Sequence, residues 1–495
     1  MIGYSGTGYR GMQIMPDQPT IEGDLFAAFV AAGAISKANA DDPKKSGLVR
    51  CARTDKGVHA AGNVVSLKLI VEDEDVVEKI NSNLSPQIRI WGIERTVGSF
   101  SCYQACDSRW YEYLLPTHTL LPPHPNSFLG KKLFELAQEA NDLDGYHARQ
   151  EEVKDFWAEA EKKYIQPILE ELDEETRKKV QEALYESEAE PENADEDLKE
   201  VAAKVADAAD IKDVSDSKED MAMAETAPES QPASEIKAVP EPKPTKQIDP
   251  ATQALRDATK RLKAAYLTAR KAYRVPQARL DRLQSALDSY VGTHNFHNFT
   301  IRKSAKDPST KRHIKSFVVN MTPIIKHGTE WVSLKVHGQS FMMHQIRKMV
   351  GLAALVVRCG CPIERMDETM TETVISIPKA PSLGLLLERP VFDSYNTNVA
   401  PKNEREPIDF SKYEKEMLAF KDREIYERMF MVEEEEGVFS NFFAHLDAYK
   451  ESFFLYLTSG GLKAAGDERK ARTTRGGKVF GEESDDEGVR GGEEG

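Results

Sequence analysis

From Glu186 to about Pro250 the chain runs through Glu, Asp, Ala, Pro and Ser with almost no aromatic residues, passing Pro240-Glu241-Pro242-Lys243-Pro244 near its end. Such a stretch buries too little apolar surface to offset the entropy of ordering its backbone, so it reads as a disordered acidic linker. The 495-residue chain is therefore not one uninterrupted globule. Residues 1–122 and 251–396 must supply the core between them. Residues 123–185 read as a helical acidic insertion, 397–460 as a helical extension and 461–495 as a disordered polar tail.

Charge is distributed as unevenly. The formal net charge is -16 at pH 7. Residues 151–250 hold 30 acidic and 13 basic side chains, and residues 401–495 hold 23 and 15. The remainder has 38 basic and 29 acidic side chains. The two core blocks are thus basic, which suits a polyanion, although many intracellular domains are mildly basic for no such reason. No run is apolar and long enough to span a membrane, and no secretory signal opens the chain. The five cysteines, Cys51, Cys102, Cys106, Cys359 and Cys361, form no C-x-x-C pair. Their odd number fits a reducing compartment, and they give no ground for a structural zinc.

In the first block, Cys51-Ala52-Arg53-Thr54-Asp55-Lys56-Gly57-Val58-His59-Ala60 sets a carboxylate between two cations. Gly57 marks a turn, and alternation over residues 64–69 predicts a strand behind it. Flanking cations favour the ionised form of Asp55, which can then act as a nucleophile or general base. Asp and Gly are also ordinary turn residues, and alone they favour a plain turn. A helix is expected within 73–84 and a strand at 88–93. Ser108-Arg109-Trp110-Tyr111-Glu112-Tyr113-Leu114-Leu115-Pro116 alternates, so Tyr111 and Tyr113 share one face of a strand. Two tyrosines packed under a sheet would look the same.

In the second block, residues 251–290 are helical and carry many cations, among them Arg270 and Arg274. A solvated helix face and a basic helix along an RNA backbone explain them equally well. His294 and His297 lie at helical spacing without a carboxylate or cysteine, which argues against a metal. Strands at 317–320 and 331–336 precede Gly338-Gln339-Ser340-Phe341-Met342-Met343-His344-Gln345-Ile346-Arg347-Lys348-Met349-Val350-Gly351. Met342, Ile346, Met349, Val350 and Ala353 recur at helical spacing and predict a buried helix. Arg347 inside it needs a partner, because an unpaired buried cation is costly. Asp55 would serve if the two met; otherwise Arg347 must reach solvent. Lys379-Ala380-Pro381-Ser382-Leu383-Gly384-Leu385-Leu386-Leu387 predicts a turn and a closing strand. Residues 413–430 and 439–457 look helical.

These stretches, in order, resemble the motifs of the TruA family of tRNA pseudouridine synthases. Tyr4 to Gln13 follows Y-x-G-x-x-Y-x-G-x-Q, and Thr20-Ile21-Glu22-Gly23 follows T-I-E-G. A-R-T-D-K-G-V-H-A stands for G-R-T-D-x-G-V-H-A, with Ala52 where the family commonly has Gly. Arg109 to Tyr113 follows R-x-Y-x-Y, the His294 stretch G-x-H-D/N-F-x-x-F, and Ala380 to Leu387 A-P-x-x-G-L-x-L. The long insertion and C-terminal extension are similar to the eukaryotic pseudouridine synthase 1 branch. The family has a strand entering its first motif, and this chain starts almost on it.

The resemblance implies an α/β (α+β) fold whose central, mostly antiparallel sheet forms two halves around a basic cleft. It implies isomerisation of uridine to pseudouridine in tRNA, in and near the anticodon stem and in other structured RNAs, without cofactor or metal. The base must be flipped into a pocket. Asp55 would be the nucleophile, Arg347 its ion-pair partner and Tyr111 the residue stacked on the base, with Tyr113 close enough to leave that choice open. Arg53 would replace the flipped base or hold a phosphate, and Lys56, Lys348, Arg270 and Arg274 would bind RNA. The His294 stretch would be packing beneath the site. The branch implies a nuclear protein, with mitochondrion and cytoplasm as further compartments, and a monomer is favoured over a homodimer. The other readings are a non-catalytic RNA-binding or tRNA-chaperone protein on the same fold, and a scaffold acting through the acidic linker.

Overall fold

The computed structural model describes residues 1–185, 250–301 and 303–465. The expected linker and nearly all of the expected tail lie outside these residues. In chain order the strands are β1 (Ile2–Tyr4), β2 (Val49–Arg50), β3 (His59–Asn63), β4 (Val65–Ser66), β5 (Ile88–Ile90), β6 (Ser108–Pro116), β7 (Gly292–Asn295), β8 (Lys311–Val319), β9 (Ile324–Lys326), β10 (Thr329–Gly338) and β11 (Leu385–Val391). The main sheet runs β5-β1-β3-β11-β6-β10-β8-β7, with β9 paired to β10. Its pairings are antiparallel except one: β3 and β11 run parallel, with Leu386 opposite His59 and Leu387 opposite Ala60. The two halves of the chain are thus joined edge to edge there. They also interleave, because β6 from the first half lies between β11 and β10 from the second.

The strand expected at 64–69 is a correction. The sheet strand is β3, a few residues earlier, and Val65–Ser66 forms a separate ribbon with Val49–Arg50. All five β3 residues are buried. A strand covered on both faces shows no alternation, so its signal was invisible to a period of two.

Tyr111 pairs with Val336, and Val336 with Phe317, so the three share one face. On that face Tyr290 packs against Phe317, with ring centroids 6.3 Å apart, and its hydroxyl donates to the Met349 carbonyl at 3.0 Å. This anchors the central helix, Gln345–Arg358, whose fourteen residues are all buried. Its cations are satisfied inside. Lys348 points Nζ at the carbonyls of Asn298 and Thr300, and Arg358 bonds Asp447 and the carbonyls of Thr119 and Leu121. Carbonyl and carboxylate partners offset the cost of burying these charges. Apolar residues of the C-terminal extension, from Phe410 through Leu457, belong to the same core as the sheet.

Candidate active site

The Asp55 loop is a turn fixed by its sequence. Val58 N–H donates to the Asp55 carbonyl at 3.1 Å, closing a four-residue turn. Its third residue, Gly57, has φ +74°, the left-handed geometry a glycine supplies without steric cost. Tyr4 and Thr54 share a hydrogen bond of 2.9 Å between hydroxyls. Asn63 Nδ2 donates to the Tyr4 hydroxyl and to the Ala52 carbonyl. The N-terminal motif lies directly against this loop: Met12 N–H donates to the Thr54 carbonyl at 3.1 Å. Gly11, with φ +117°, permits that approach, since a Cβ there would fall 2.9 Å from the same oxygen. His59, beneath the turn, takes a hydrogen bond from Gly6 N–H at its Nδ1. Burial pushes its imidazole down to about 3, so it is neutral.

The Asp55 side chain keeps 30% of its surface exposed, and it faces the start of the central helix. The residue capping that helix, His344, is itself left-handed at φ 63°. Its Nδ1 lies 3.5 Å from Asp55 Oδ2, while the side chain is 2% exposed. Burial lowers the pKa of His344, and Asp55 opposes that only in part. One turn further on, Arg347 is buried, so it does not reach solvent. Its Nε donates to the Ala380 carbonyl at 2.7 Å, and Ala380 N–H donates back to the Arg347 carbonyl. The Arg347 charge bears on His344 and on Tyr113.

Tyr111 sits mid-strand between Leu387 and Val336, its ring edge-on to Phe341 at 5.3 Å. Burial raises its phenol well above the usual range, and Asp55 adds to that, so the hydroxyl stays protonated. Tyr113 is committed elsewhere: its hydroxyl donates to the Pro381 carbonyl at 2.7 Å, and its ring closes on Gly384. The Tyr113 hydroxyl is thus taken up by the main chain, and Tyr111 is the tyrosine on which the Asp55 charge bears. The stretch around His294 is packing, with Phe296, His297, Asn298 and Phe299 buried.

Of the expected RNA-binding residues, Arg53 is exposed and Lys56 half-exposed on the Asp55 loop. Lys348 is a correction: it is buried against main-chain carbonyls and presents no charge to a ligand surface. Arg274 donates to the carbonyls of Lys271, Tyr273 and Gly328. Gly328 precedes β10, so this contact lies roughly 25 Å along the strand from the level of Tyr111. Arg270 stands over the Trp157 ring at 5.7 Å, outside the pocket. Among the described residues no group of three His, Cys, Asp or Glu side chains could hold a metal ion. His344 went unnoticed in the sequence. The available signal was a histidine immediately before an apolar helix, three residues ahead of a buried arginine.

Comparison with known proteins agrees with this geometry. A family model described as tRNA pseudouridine synthase matches residues 286–393. The tRNA pseudouridine synthase 1 of Schizosaccharomyces pombe is 43% identical over 475 residues, covering 93% of this chain and 85% of the relative. That of Kluyveromyces lactis is 44% identical over 456 residues, covering 92% and 70%. The tRNA pseudouridine(27/28) synthase of Saccharomyces cerevisiae is 33% identical over 447 residues, covering 89% and 96%.

Proposed function

Since this chain belongs to the TruA-type family of tRNA pseudouridine synthases, we propose that it isomerises uridine in tRNA with Asp55 as the nucleophile. The observation that carries this reading is the meeting of a partly exposed carboxylate with the buried His344 cap of the central helix, beside Tyr111. The target base must leave its stack to reach Asp55, and Tyr111 offers the flipped ring an aromatic edge in the wall of the pocket. Asp55 attacks the nucleoside and the C1′–N1 bond breaks. The uracil turns, C5 bonds to C1′, the C5 hydrogen leaves and N1 takes a proton. Nothing is oxidised or reduced, so the reaction calls for no redox cofactor. A protonated Tyr111 serves this sequence as a packing and hydrogen-bonding group. Arg347, pinned to Ala380, supplies a fixed positive charge near the carboxylate, and Arg53 and Lys56 hold the neighbouring phosphates.

The uridines favoured are those in and near the anticodon stem, which the relative named for positions 27/28 supports. Other structured RNAs, a nuclear location and a monomeric state follow the family branch and extend the same reading. Arg274, held at Gly328 before the far end of β10, and Arg270, over Trp157, would touch only a substrate large enough to reach beyond the pocket.

The test uses a tRNA transcript labelled with tritium at uracil C5, where each turnover releases one label. Asp55→Ala should abolish release while tRNA binding persists. Release by Asp55→Ala at the wild-type rate would sink the assignment. A folded wild type that binds tRNA without release would establish the non-catalytic reading.

A further inference from the structure

The sheet face opposite Tyr111 carries a cavity of its own. Successive residues of a strand point to opposite faces, so Trp110 faces away from Asp55. Arg389 of β11, Trp110 of β6 and His337 of β10 are paired across the sheet in one row. The indole and the imidazole stack, with ring centroids 4.2 Å apart and 15° between their planes. His337 Nε2 and Ser108 Oγ share a hydrogen bond of 2.8 Å, which holds the imidazole in place. In the next row Lys335 stands opposite Glu112. The C-terminal extension closes over Glu112 through Lys421. Over Trp110 it does not close: between the helix Glu414–Phe420 and the sheet lies a cavity of about 410 Å³. His337 takes one face of the indole, and Trp110 but not His337 lines the cavity.

We propose that this cavity holds one unpaired nucleotide of the substrate RNA, its base stacked on Trp110 and its phosphate held by Arg389 and Lys335. This rests on tRNA as the substrate and not on the chemistry at Asp55. The volume falls within the roughly 300–1,000 Å³ of small-ligand pockets. An aromatic floor suits any base, because every base has a π-face. The lining is graded in charge. Glu388 keeps 18% of its side-chain surface exposed and Lys335 52%, with Lys335 Nζ 4.0 Å from Glu388 Oε1. Arg389 is exposed, and among the described residues no hydrogen bond or ion pair holds its guanidinium. The cations thus stand towards solvent, where a phosphate would lie with the base inserted. Glu388 is engaged by Lys421, which leaves the exposed Glu414 as the carboxylate open to an exocyclic amino group. The position also suits a strand already bound at the active site. β6 begins at Ser108, β10 ends at Gly338 and β11 at Val391, each within two residues of the Trp110 row. A strand held at Asp55 can round that end of the sheet and bring a neighbouring nucleotide to Trp110.

The probe is hexacytidylate, a single strand without uridine and so no substrate for the Asp55 pocket. Titrated into the full-length protein, it should quench indole emission, and ultraviolet cross-linking followed by peptide mass mapping should place it on Trp110. Trp110→Leu should lose the quench. Arg389→Ala, at an exposed position, should weaken binding and lower the slope of log affinity against log salt by about 0.7, the share of one phosphate on a single strand. With tRNA, Trp110→Leu should raise the KM for tritium release by roughly tenfold, as loss of one stacked base requires, with kcat little changed, and Arg389→Ala should raise it too. The proposal is overturned if Trp110→Leu is quenched as the wild type is, or if both variants keep the wild-type KM. Failure of excess tRNA to displace hexacytidylate would overturn it as well, by marking a site for free nucleotides. A folded protein that binds hexacytidylate through Trp110 yet releases no tritium would instead count against the synthase reading and leave the nucleotide site standing.

Discussion

Asp55 has one close protein contact that its sequence neighbours did not suggest. Burial lowers the pKa of His344 while Asp55, 3.5 Å from its Nδ1, pulls the other way. The His344 backbone is also left-handed, which Gly and Asn tolerate and most residues do not. Two substitutions separate these parts. His344→Gly keeps the backbone and removes the imidazole that stands 3.5 Å from Asp55 Oδ2, so kcat should fall with KM little changed. His344→Asn keeps the backbone with an amide in place of the imidazole and should recover much of the loss. Equal activity of the glycine variant and wild type would show that the contact is only structural. Motif, charge and strand parity singled out Asp55, Tyr111 and Arg347, because each marks a residue by its own type and spacing. His344 was not, since its role depends on a left-handed φ and a neighbour about 290 positions away. Lys348 is harder to read for the related reason that a cation beside Arg347 looks identical whether it meets phosphate or the main-chain carbonyls it faces.

Among the elements, the buried helix and the alternating β6 were legible, while β3 was hidden by burial on both faces. Also illegible was the use of the C-terminal extension as a plug for the sheet. Lys421 reaches Glu112 of β6 at 3.1 Å and also bonds Glu388 of β11, and Ser333 and Tyr426 donate to Glu112 as well. Burial alone would strip the lysine of its proton, and the two carboxylates outweigh that. Glu112 takes the extra donors, so it is the carboxylate held ionised, while burial pushes Glu388 up. Removing the cation strands a buried charge next to Tyr111. Lys421→Met should cost about 3–5 kcal/mol in chemical denaturation, and adding Glu112→Gln should restore part of it. A loss below about 1 kcal/mol would mean that the cluster is solvated and the extension only loosely seated.

For the molecule as a whole, His59 and His118 are both pushed by burial from near 6.5 to about 3. Below pH 6.5 the unfolded chain takes up protons that the folded one refuses. Stability is therefore full above pH 6.5 and falls as the pH drops towards 3, by about 2 kcal/mol per histidine at pH 5. Urea unfolding at pH 7.5 and 5 measures it, and His118→Gln should flatten the dependence; an unchanged midpoint in wild type would refute it. Affinity for tRNA should fall linearly on a log–log plot against salt, as phosphate neutralisation requires, and removal of residues 186–249 should leave tritium release intact. One feature of the sheet also governs when the enzyme can exist at all. Strand β3 gets its second neighbour only when residues 385–391 arrive, and Leu386 follows His59 by more than three hundred positions. At about 5–20 residues per second, a ribosome takes roughly 15–65 seconds to cover that interval. Throughout it the nascent chain carries β3 with one edge open and has no assembled active site, so a half-made copy is both inert towards tRNA and a natural client for chaperones.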